Sequence, residues 1–168
     1  RHVVANLGLP FMNGGSGFAA RGGWWVAAQV VAFGVVAVAL LWAPERDVPG
    51  IVAALGWVLV VVGGGLAIDG VFQIRGHLTA YPAPLEHGKL VEHGSYRLVR
   101  HPIYGGLVVG VIGLAVASGN LAALVAGVAL GAFFYAKSGF EEALLEDKYV
   151  DYPQYQRRVT NRLIPWLV

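Results

Sequence analysis

Hydrophobic positions along the chain fall into three long runs that contain no Lys, Arg, Asp or Glu. The runs cover residues 24–43, 48–68 and 101–136, and are 20, 21 and 36 residues long. A helix needs about 20 apolar residues to cross the ~30 Å hydrocarbon core of a bilayer. The first two runs therefore predict one membrane span each, and the third is long enough for two short ones. We expect an all-α integral membrane fold of about four transmembrane helices.

Turn-forming residues set the predicted ends of these helices. Pro44 cannot continue the first helix, and the triplet 118–120, Ser-Gly-Asn, breaks the third run with a turn and a new N-cap. The predicted spans are about 24–43, 50–74, 102–118 and 120–140. The last two should form a tight hairpin, because small residues allow helix backbones to approach closely in a membrane. The glycines expected at this contact are Gly106, Gly110 and Gly113 on one arm and Gly127 and Gly131 on the other.

The remaining segments are polar or rich in glycine. Residues 1–23 predict an N-terminal lead-in that is partly flexible or interfacial, and residues 24–168 predict a single transmembrane domain. Residues 75–100 contain several charged residues and predict the largest loop between spans. Tyr149, Tyr152 and Tyr155 recur every three residues and predict a lid on the membrane surface, followed by Trp166 as an interfacial anchor.

Composition agrees with a lipid environment and excludes several other classes of protein. Hydrophobic residues make up 57% of the chain and charged residues 13%, about half the share in soluble domains. There is no cysteine, so a disulfide framework and a thiol nucleophile are excluded, and we assign no metal ligand. The net charge of +2 is too small to indicate a nucleic-acid partner. The expected partner is the lipid bilayer, and the oligomeric state cannot be predicted.

The distribution of Lys and Arg predicts the orientation in the membrane. In a four-span arrangement, 11 of the 12 basic residues lie on one side and only Arg46 lies on the other. Basic residues are enriched in cytoplasmic loops. Both termini and the 75–100 loop are therefore expected in the cytoplasm, together with all of the candidate chemistry.

The segment 94–106 reads GSYRLVRHPIYGG and leads from the polar loop into the third apolar run. Pro102 suits the first turn of a helix, where its missing N–H costs nothing. Arg97, Arg100 and His101 would then lie beside a helix N-terminus, which attracts anionic or polar ligand groups. Arg and Tyr side chains at a membrane edge also snorkel to lipid phosphates, so the segment alone is compatible with either role.

A pair of carboxylates, Glu141 and Glu142, follows the fourth predicted span. Adjacent carboxylates at the end of an apolar helix repel each other and lose solvation, which a cationic ligand or arginine partners would offset. The alternative is that both lie in water and pair with Lys137 or Lys148. Asp69, near the end of the second span, is similarly open: it either hydrogen-bonds into a site or lies high enough to be hydrated.

Together these segments resemble the isoprenylcysteine carboxyl methyltransferase and phospholipid methyltransferase superfamily. In that family a loop of the form G-x-Y-R-x-x-R-H-P-x-Y-x-G enters a membrane helix. Its fixed positions are filled here by Gly94, Tyr96, Arg97, Arg100, His101, Pro102, Tyr104 and Gly106. The later signature, a Glu pair, two tyrosines and an R-V-P-R-L-I-P-like end, is matched by Glu141, Glu142, Tyr152, Tyr155, Arg158, Val159, Arg162, Leu163, Ile164 and Pro165. Thr160 and Asn161 stand where the family usually has one proline, and the resemblance covers about residues 85–168.

The resemblance implies a methyltransferase that uses S-adenosylmethionine and releases S-adenosylhomocysteine, with its pocket formed by motifs 94–106 and 141–165. A glutamate of the pair would hold the ammonium group of the cofactor, and Arg97, Arg100 or Arg158 would pair with its carboxylate. The residues implied to bind the cofactor are Tyr96, Arg100, His101, Pro102, Tyr104, Glu141 and Glu142. Those implied to be catalytic are Arg97, His101, Glu142 and Arg158.

Three functions are compatible with these motifs. The favoured one is methyl transfer to a lipophilic acceptor at the cytoplasmic membrane interface, such as an isoprenoid carboxylate or a phospholipid amine. A membrane reductase of related architecture would bind NADPH instead, but such chains are generally much longer than 168 residues. A non-catalytic assembly factor that has kept the fold is the third. The residues do not select the acceptor.

Overall fold

The structure is a computed structural model that describes residues 22–75 and 90–165. Within these ranges the chain is helical and contains no β-strand. The helices are α1 (Gly23–Trp42), α2 (Gly50–Gln73), a 3-10 helix (Gly94–Arg97), α3 (Pro102–Ala117), α4 (Leu121–Lys148) and α5 (Tyr152–Arg158). The predicted N-terminal lead-in, apart from residues 22 and 23, and the predicted anchor Trp166 lie outside the described residues.

Three of these helices, α1, α2 and α4, are long and apolar enough to cross a membrane. The shorter α3 is also apolar, and its 16 residues extend about 24 Å. Large apolar side chains on the outer surface are exposed, as lipid contact requires, with Trp42 at 76% and Val61 at 72%. The predicted all-α integral membrane fold is therefore confirmed, with helices close to the four predicted spans. α4 continues to Lys148, so the glutamate pair lies on this helix rather than after it.

The helices run alternately up and down, so that the loop after α1 and the turn after α3 lie at the same end. Arg46 N–H donates to the Ser118 carbonyl at 3.3 Å, and Asn120 Nδ2 donates to the Ala39 carbonyl at 2.8 Å. The side chain of Asn120 also caps α4 by accepting from Ala123 N–H, which confirms the predicted N-cap. The end of α2 and the start of α3 consequently lie at the opposite end, beside the last turns of α4.

The closest helix contact is between α2 and α3, and it is made by glycines. Gly56, Gly63 and Gly70 recur every seven residues on α2 and are buried. A Cβ on Gly63 would lie 2.6 Å from the Gly106 carbonyl oxygen, and one on Gly113 would lie 2.7 Å from the Gly56 carbonyl oxygen. Because a seven-residue repeat keeps one helix face toward its neighbour, the two backbones touch along their length.

The α2–α3 contact shows that the glycines of α3 were predicted on the wrong side of the α3–α4 hairpin. Gly106 and Gly113 face α2 and not α4, and a Cβ on Gly110 would meet open space. The prediction is confirmed for α4, since side chains of α3 pack against Gly127 and Gly131. The α3–α4 contact therefore places α4 glycines against branched side chains, while the glycines of α3 serve the α2 contact.

α1 packs on α4 mainly through aromatic rings. Trp25 lies 5.8 Å from Phe133 and Phe33 lies 6.0 Å from Phe134, measured between ring centroids. Such pairs contribute about 0.5–1.5 kcal/mol beyond their buried area. These aromatic contacts hold α1 beside the half of α4 that leads to the glutamate pair.

The glycine contact predicts opposite effects of two neighbouring substitutions. Gly63→Ala should destabilise the protein by roughly 1–3 kcal/mol, because the new methyl group overlaps the α3 backbone. Gly64→Ala meets open space and should be neutral or slightly stabilising, since Ala favours the helix. Thermal unfolding in detergent measures both variants. Equal midpoints for the two would contradict the close α2–α3 approach.

Candidate functional site

The segment that leads into α3 is anchored on the end of α2. Asp69 Oδ2 accepts a hydrogen bond from Ser95 N–H at 2.6 Å, and Asp69 Oδ1 accepts one from Gln73 Nε2 at 2.9 Å. Gly94 has a φ of 61°, and the Gln73 side chain occupies the space that a Cβ at this position would need. Glycine is thus required both by the left-handed backbone and by the contact. Asp69, left open by the sequence, hydrogen-bonds to this loop.

The opposite side of the same segment contacts α5 and the residues after it. The Tyr155 hydroxyl donates to the Tyr96 carbonyl at 2.7 Å. A Cβ on Gly105 would overlap the Leu163 carbonyl oxygen, so the first turn of α3 admits the C-terminal segment only because this residue is glycine. The backbone N–H groups of Arg100 and His101 donate to the carbonyls of Asn161 and Arg162, at 3.0 and 2.9 Å.

Glu142 lies at the centre of the site, and its side chain is 4% exposed. Its carboxylate lies 2.7 Å from Arg100 Nε, 3.2 Å from His101 Nε2 and 2.9 Å from Arg162 Nη2. Arg100 also donates to two backbone carbonyls of the segment after α5. A buried carboxylate needs such partners, since an isolated charge in a low-dielectric interior is strongly disfavoured. Glu142 therefore joins α4 to the start of α3 and to the C-terminal segment.

Glu141 contacts a different set of side chains, and its own side chain is somewhat more exposed, at 13%. Its Oε1 accepts a hydrogen bond from the Tyr104 hydroxyl at 2.7 Å and lies 3.6 Å from Lys137 Nζ. Its Oε2 lies 3.5 Å from His101 Nδ1. The two glutamates thus contact opposite nitrogens of one imidazole ring, and their remaining partners differ.

The Tyr104 ring separates the charged groups from the apolar bundle. It stacks on the His101 ring with centroids 5.7 Å apart and on the Phe134 ring with centroids 4.3 Å apart. Lys137 Nζ lies 4.9 Å from the centroid of the same ring. Phe134 is fully buried. The site therefore has a polar side formed by Glu141 and Glu142 and an apolar floor that leads into the membrane.

Three further tyrosines around the cluster remain protonated at neutral pH. Burial raises the pKa of Tyr96, Tyr152 and Tyr155 above the ordinary value. The negative charge of Glu141 raises the pKa of Tyr96 further, and that of Glu142 does the same for Tyr152. These phenols act as neutral groups that pack and donate hydrogen bonds, and none of them is a base.

Most of the residues singled out from sequence come together here. Arg100, His101, Tyr104, Glu141 and Glu142 form the cluster just described, Tyr96 lies close enough for its pKa to respond to Glu141, and Pro102 is the first residue of α3. The structure does not bring Arg97 and Arg158 into the cluster. Arg97 is exposed. Arg158 is 56% exposed and pairs with Glu92.

Arg162 and Gln29 were not among the predicted site residues, and Lys137 was predicted only as an alternative partner of the glutamates. Arg162, quoted only as part of the C-terminal signature, contacts Glu142, whereas Arg158, which was predicted to be catalytic, pairs with Glu92. Lys137 does pair with Glu141, as the alternative interpretation held, but it is buried at 1% exposure rather than in water. Gln29 on α1 accepts a hydrogen bond from Lys137 Nζ at 2.6 Å. The available signal was that Gln29 lies inside the first charge-free run and that Lys137 directly follows the third.

The donor set of this cluster suits a small zwitterion. Arg100, Arg162 and Lys137 carry three positive charges, and Glu141 and Glu142 carry two negative ones, so the cluster has a formal charge of +1 with His101 neutral. Arg162 Nε is buried and has no hydrogen-bond partner among the described residues. An unsatisfied donor beside paired carboxylates fits a ligand that carries both a carboxylate and an ammonium group.

Comparisons with known proteins agree with this architecture. The model of the phospholipid methyltransferase family matches residues 51–151. A probable protein-S-isoprenylcysteine O-methyltransferase of Oryza sativa subsp. japonica is 32% identical over 125 residues, covering 71% of this chain and 65% of the rice protein. Protein-S-isoprenylcysteine O-methyltransferase A of Arabidopsis thaliana is 37% identical over 78 residues, covering 45% of this chain and 40% of the relative. The chain thus spans about two thirds of the length of the rice relative.

The fold and the site together define a small helical membrane protein with a charged cluster at one end of its bundle. The family match covers more than half of the chain and includes α2, α3, α4 and the two glutamates. The chain belongs to the phospholipid methyltransferase family. The resemblance inferred from the loop and the glutamate pair is confirmed.

The contact between α3 and the C-terminal segment is open to a direct test. Gly105→Ala should displace the segment, because its methyl group would overlap the Leu163 carbonyl. Limited trypsin digestion should then cleave after Arg162, which is held against Glu142 in the unmodified chain. Gly110→Ala on the same helix meets open space and is the matched control. Identical digestion patterns for the two variants would show that the segment is not docked on Gly105.

Proposed function

We propose that the protein transfers a methyl group from S-adenosylmethionine to the carboxylate of a lipophilic acceptor at the membrane surface. The observation that carries this proposal is the convergence of Glu141, Glu142, Arg100 and Arg162 at one end of an apolar bundle. A polar cofactor can reach such a site from water, while an acceptor with a long apolar group can reach it from the bilayer. The family match supports methyl transfer as the class of reaction.

The two ends of the amino-acid part of the cofactor have different partners in this proposal. Glu142 is already surrounded by two guanidinium groups and an imidazole. Glu141 is more exposed and has one neutral hydrogen-bond donor, Tyr104, at short distance. Glu141 is therefore the better partner for the ammonium group. Arg162, with its free buried Nε, is the better partner for the carboxylate.

When bound, the cofactor supplies an electrophilic methyl group on a sulfonium sulfur. Glu141 and Arg162 would hold this cofactor, which would supply the methyl for a new carbon–oxygen bond while its sulfur kept the electron pair of the broken carbon–sulfur bond. A carboxylate acceptor releases no proton, so the protein needs no general base for this reaction. Its tasks are to align the reactants and exclude water. The protonated tyrosines and the stacked rings of His101, Tyr104 and Phe134 suit those tasks.

The charge of the cluster favours a carboxylate acceptor over an amine. The cluster has a formal charge of +1, and S-adenosylmethionine also has a net charge of +1, so an anionic acceptor lowers the total charge in a partly buried site. A protonated amine would raise it. The names of the plant relatives, which describe methylation of an oxygen of isoprenylcysteine, agree with this choice.

Cofactor binding gives the first test and separates the three candidate functions. Isothermal titration in detergent should detect binding of S-adenosylhomocysteine and not of NADPH. Glu141→Gln should raise the Kd for S-adenosylhomocysteine at least about tenfold, a loss of ~1.4 kcal/mol. Glu146→Gln, an exposed position on the same helix, is the control and should leave the Kd unchanged. NADPH binding would support a reductase, and binding of neither compound would support an assembly factor.

We further propose that this end of the bundle faces the cytoplasm, as the 11 to 1 distribution of basic residues indicates. The chain has no cysteine, so single cysteines can be placed without background. Asp47→Cys, on the opposite loop, should react with an impermeant thiol reagent on intact cells. Val150→Cys, at the site end and 92% exposed, should react only after the cells are permeabilised. The reverse pattern would invert the proposed orientation.

A further inference from the structure

A buried cation, Lys137, lies next to the proposed ammonium partner without a stated role. It is 1% exposed and lies on α4 one helical turn before Glu141. Cationic side chains inside a membrane bundle are costly and are paired in almost all known cases. Lys137 Nζ has two oxygen atoms nearby on different helices, Gln29 Oε1 on α1 at 2.6 Å and Glu141 Oε1 on α4 at 3.6 Å.

The two distances from Lys137 Nζ describe two different kinds of interaction. At 2.6 Å the contact with Gln29 is a strong hydrogen bond, whereas 3.6 Å to Glu141 is too long for one and leaves only electrostatic attraction. The Glu141 oxygen that faces Lys137 is the one that accepts from the Tyr104 hydroxyl. Lys137 is therefore attracted to Glu141 but hydrogen-bonded to the neutral amide instead.

The position of Gln29 supports a specific role. It is the only amide or charged side chain in α1. Trp25 and Phe33, one turn to either side of it, pack on aromatic rings of α4 and hold α1 in register with that helix. α1 itself lies outside the residues 51–151 that match the family.

On the basis of the function proposed above, we propose that Gln29 is a positioning residue that holds the Lys137 ammonium away from Glu141. Two ammonium groups, that of Lys137 and that of the methyl donor, compete for one carboxylate. By supplying a neutral oxygen on α1, Gln29 keeps Glu141 available to the donor. If the amide is removed, Lys137 is too buried to find water, and Glu141 is the oxygen-bearing partner left to it among the described residues.

Binding of S-adenosylhomocysteine to four variants tests the competition. Gln29→Leu should raise the Kd about tenfold, because Lys137 then occupies Glu141. Combining Gln29→Leu with Lys137→Met should restore a Kd close to that of the unmodified protein, since the competing ammonium is gone. Gln29→Glu, which keeps an oxygen acceptor, should also bind normally. Val30→Leu, at the neighbouring exposed position of α1, is the control for a general effect of the helix.

A second measurement needs no cofactor and is independent of the proposed function. The chain contains only three lysines, Lys89, Lys137 and Lys148, so a sample labelled with 15N-lysine gives few ammonium signals. The Lys137 signal, assigned by its loss in Lys137→Met, should move in Gln29→Leu. It should move again when Glu141→Gln is added to that variant.

Several results would overturn the inference. An unchanged Kd for folded Gln29→Leu would show that Lys137 does not compete, and an equally weak Kd for the double variant would reduce Gln29 to a packing role. If the Lys137 signal does not move in Gln29→Leu, Lys137 does not turn toward Glu141 as inferred. This result would count even if S-adenosylhomocysteine did not bind at all. The Lys137 signal therefore tests this inference alone. The proposed function is tested separately, by binding of S-adenosylhomocysteine to the unmodified chain.

Discussion

Glu142 is a buried carboxylate on α4 that must be neutralised by groups from other parts of the chain. Arg100 and His101 reach it from the start of α3, and Arg162 reaches it from the C-terminal segment. Removing one partner from a buried ion pair typically costs about 3–5 kcal/mol, because the remaining charge is left without compensation. The same requirement that keeps these segments together also concentrates charged groups at the membrane surface. Arg162, proposed above as the partner of the cofactor carboxylate, is thus also one of the groups that neutralise Glu142.

The apolar part of the molecule determines where this cluster lies. Glycines on α2 allow α3 to approach backbone to backbone, and the end of α2 then lies beside the loop that carries Arg100. α4 is 28 residues long, so its last turns reach past the short α3 and carry the glutamates to the loop and to the C-terminal segment. Lipid cannot hydrogen-bond to polar groups, so the buried amide and cation on α1 and α4 satisfy each other. The bundle is therefore apolar toward lipid, and the cluster of Glu141, Glu142, Arg100 and Arg162 lies at one end of it.

Much of this arrangement could be predicted from the sequence. Charge-free runs gave the helices, and an even number of spans places the loop at 94–101 and the glutamate pair at the same end. Side-chain partners could not be predicted in the same way. Glu141 and Glu142 are adjacent but point about 100° apart on a helix, so their partners depend on the rotation of α4. Arg158 and Arg162 could be distinguished only by the end of α5 at Arg158, after which the chain extends and carries Arg162 back to the site. A spacing of four predicts the glycines of α3 at the α4 contact, but the buried glycines of α2 recur every seven residues, and Gly106 and Gly113 face α2 instead.

The central claim is that one cluster of glutamates and arginines binds the methyl donor, and a structure determined with S-adenosylhomocysteine tests it most directly. The cofactor amino group should lie within hydrogen-bond distance of Glu141, and its carboxylate should lie beside Arg162, with the nucleoside close to Tyr104. Density for the compound at another place on the molecule, with Glu141 still bound to Tyr104 and Arg162 still bound to Glu142, would contradict the claim.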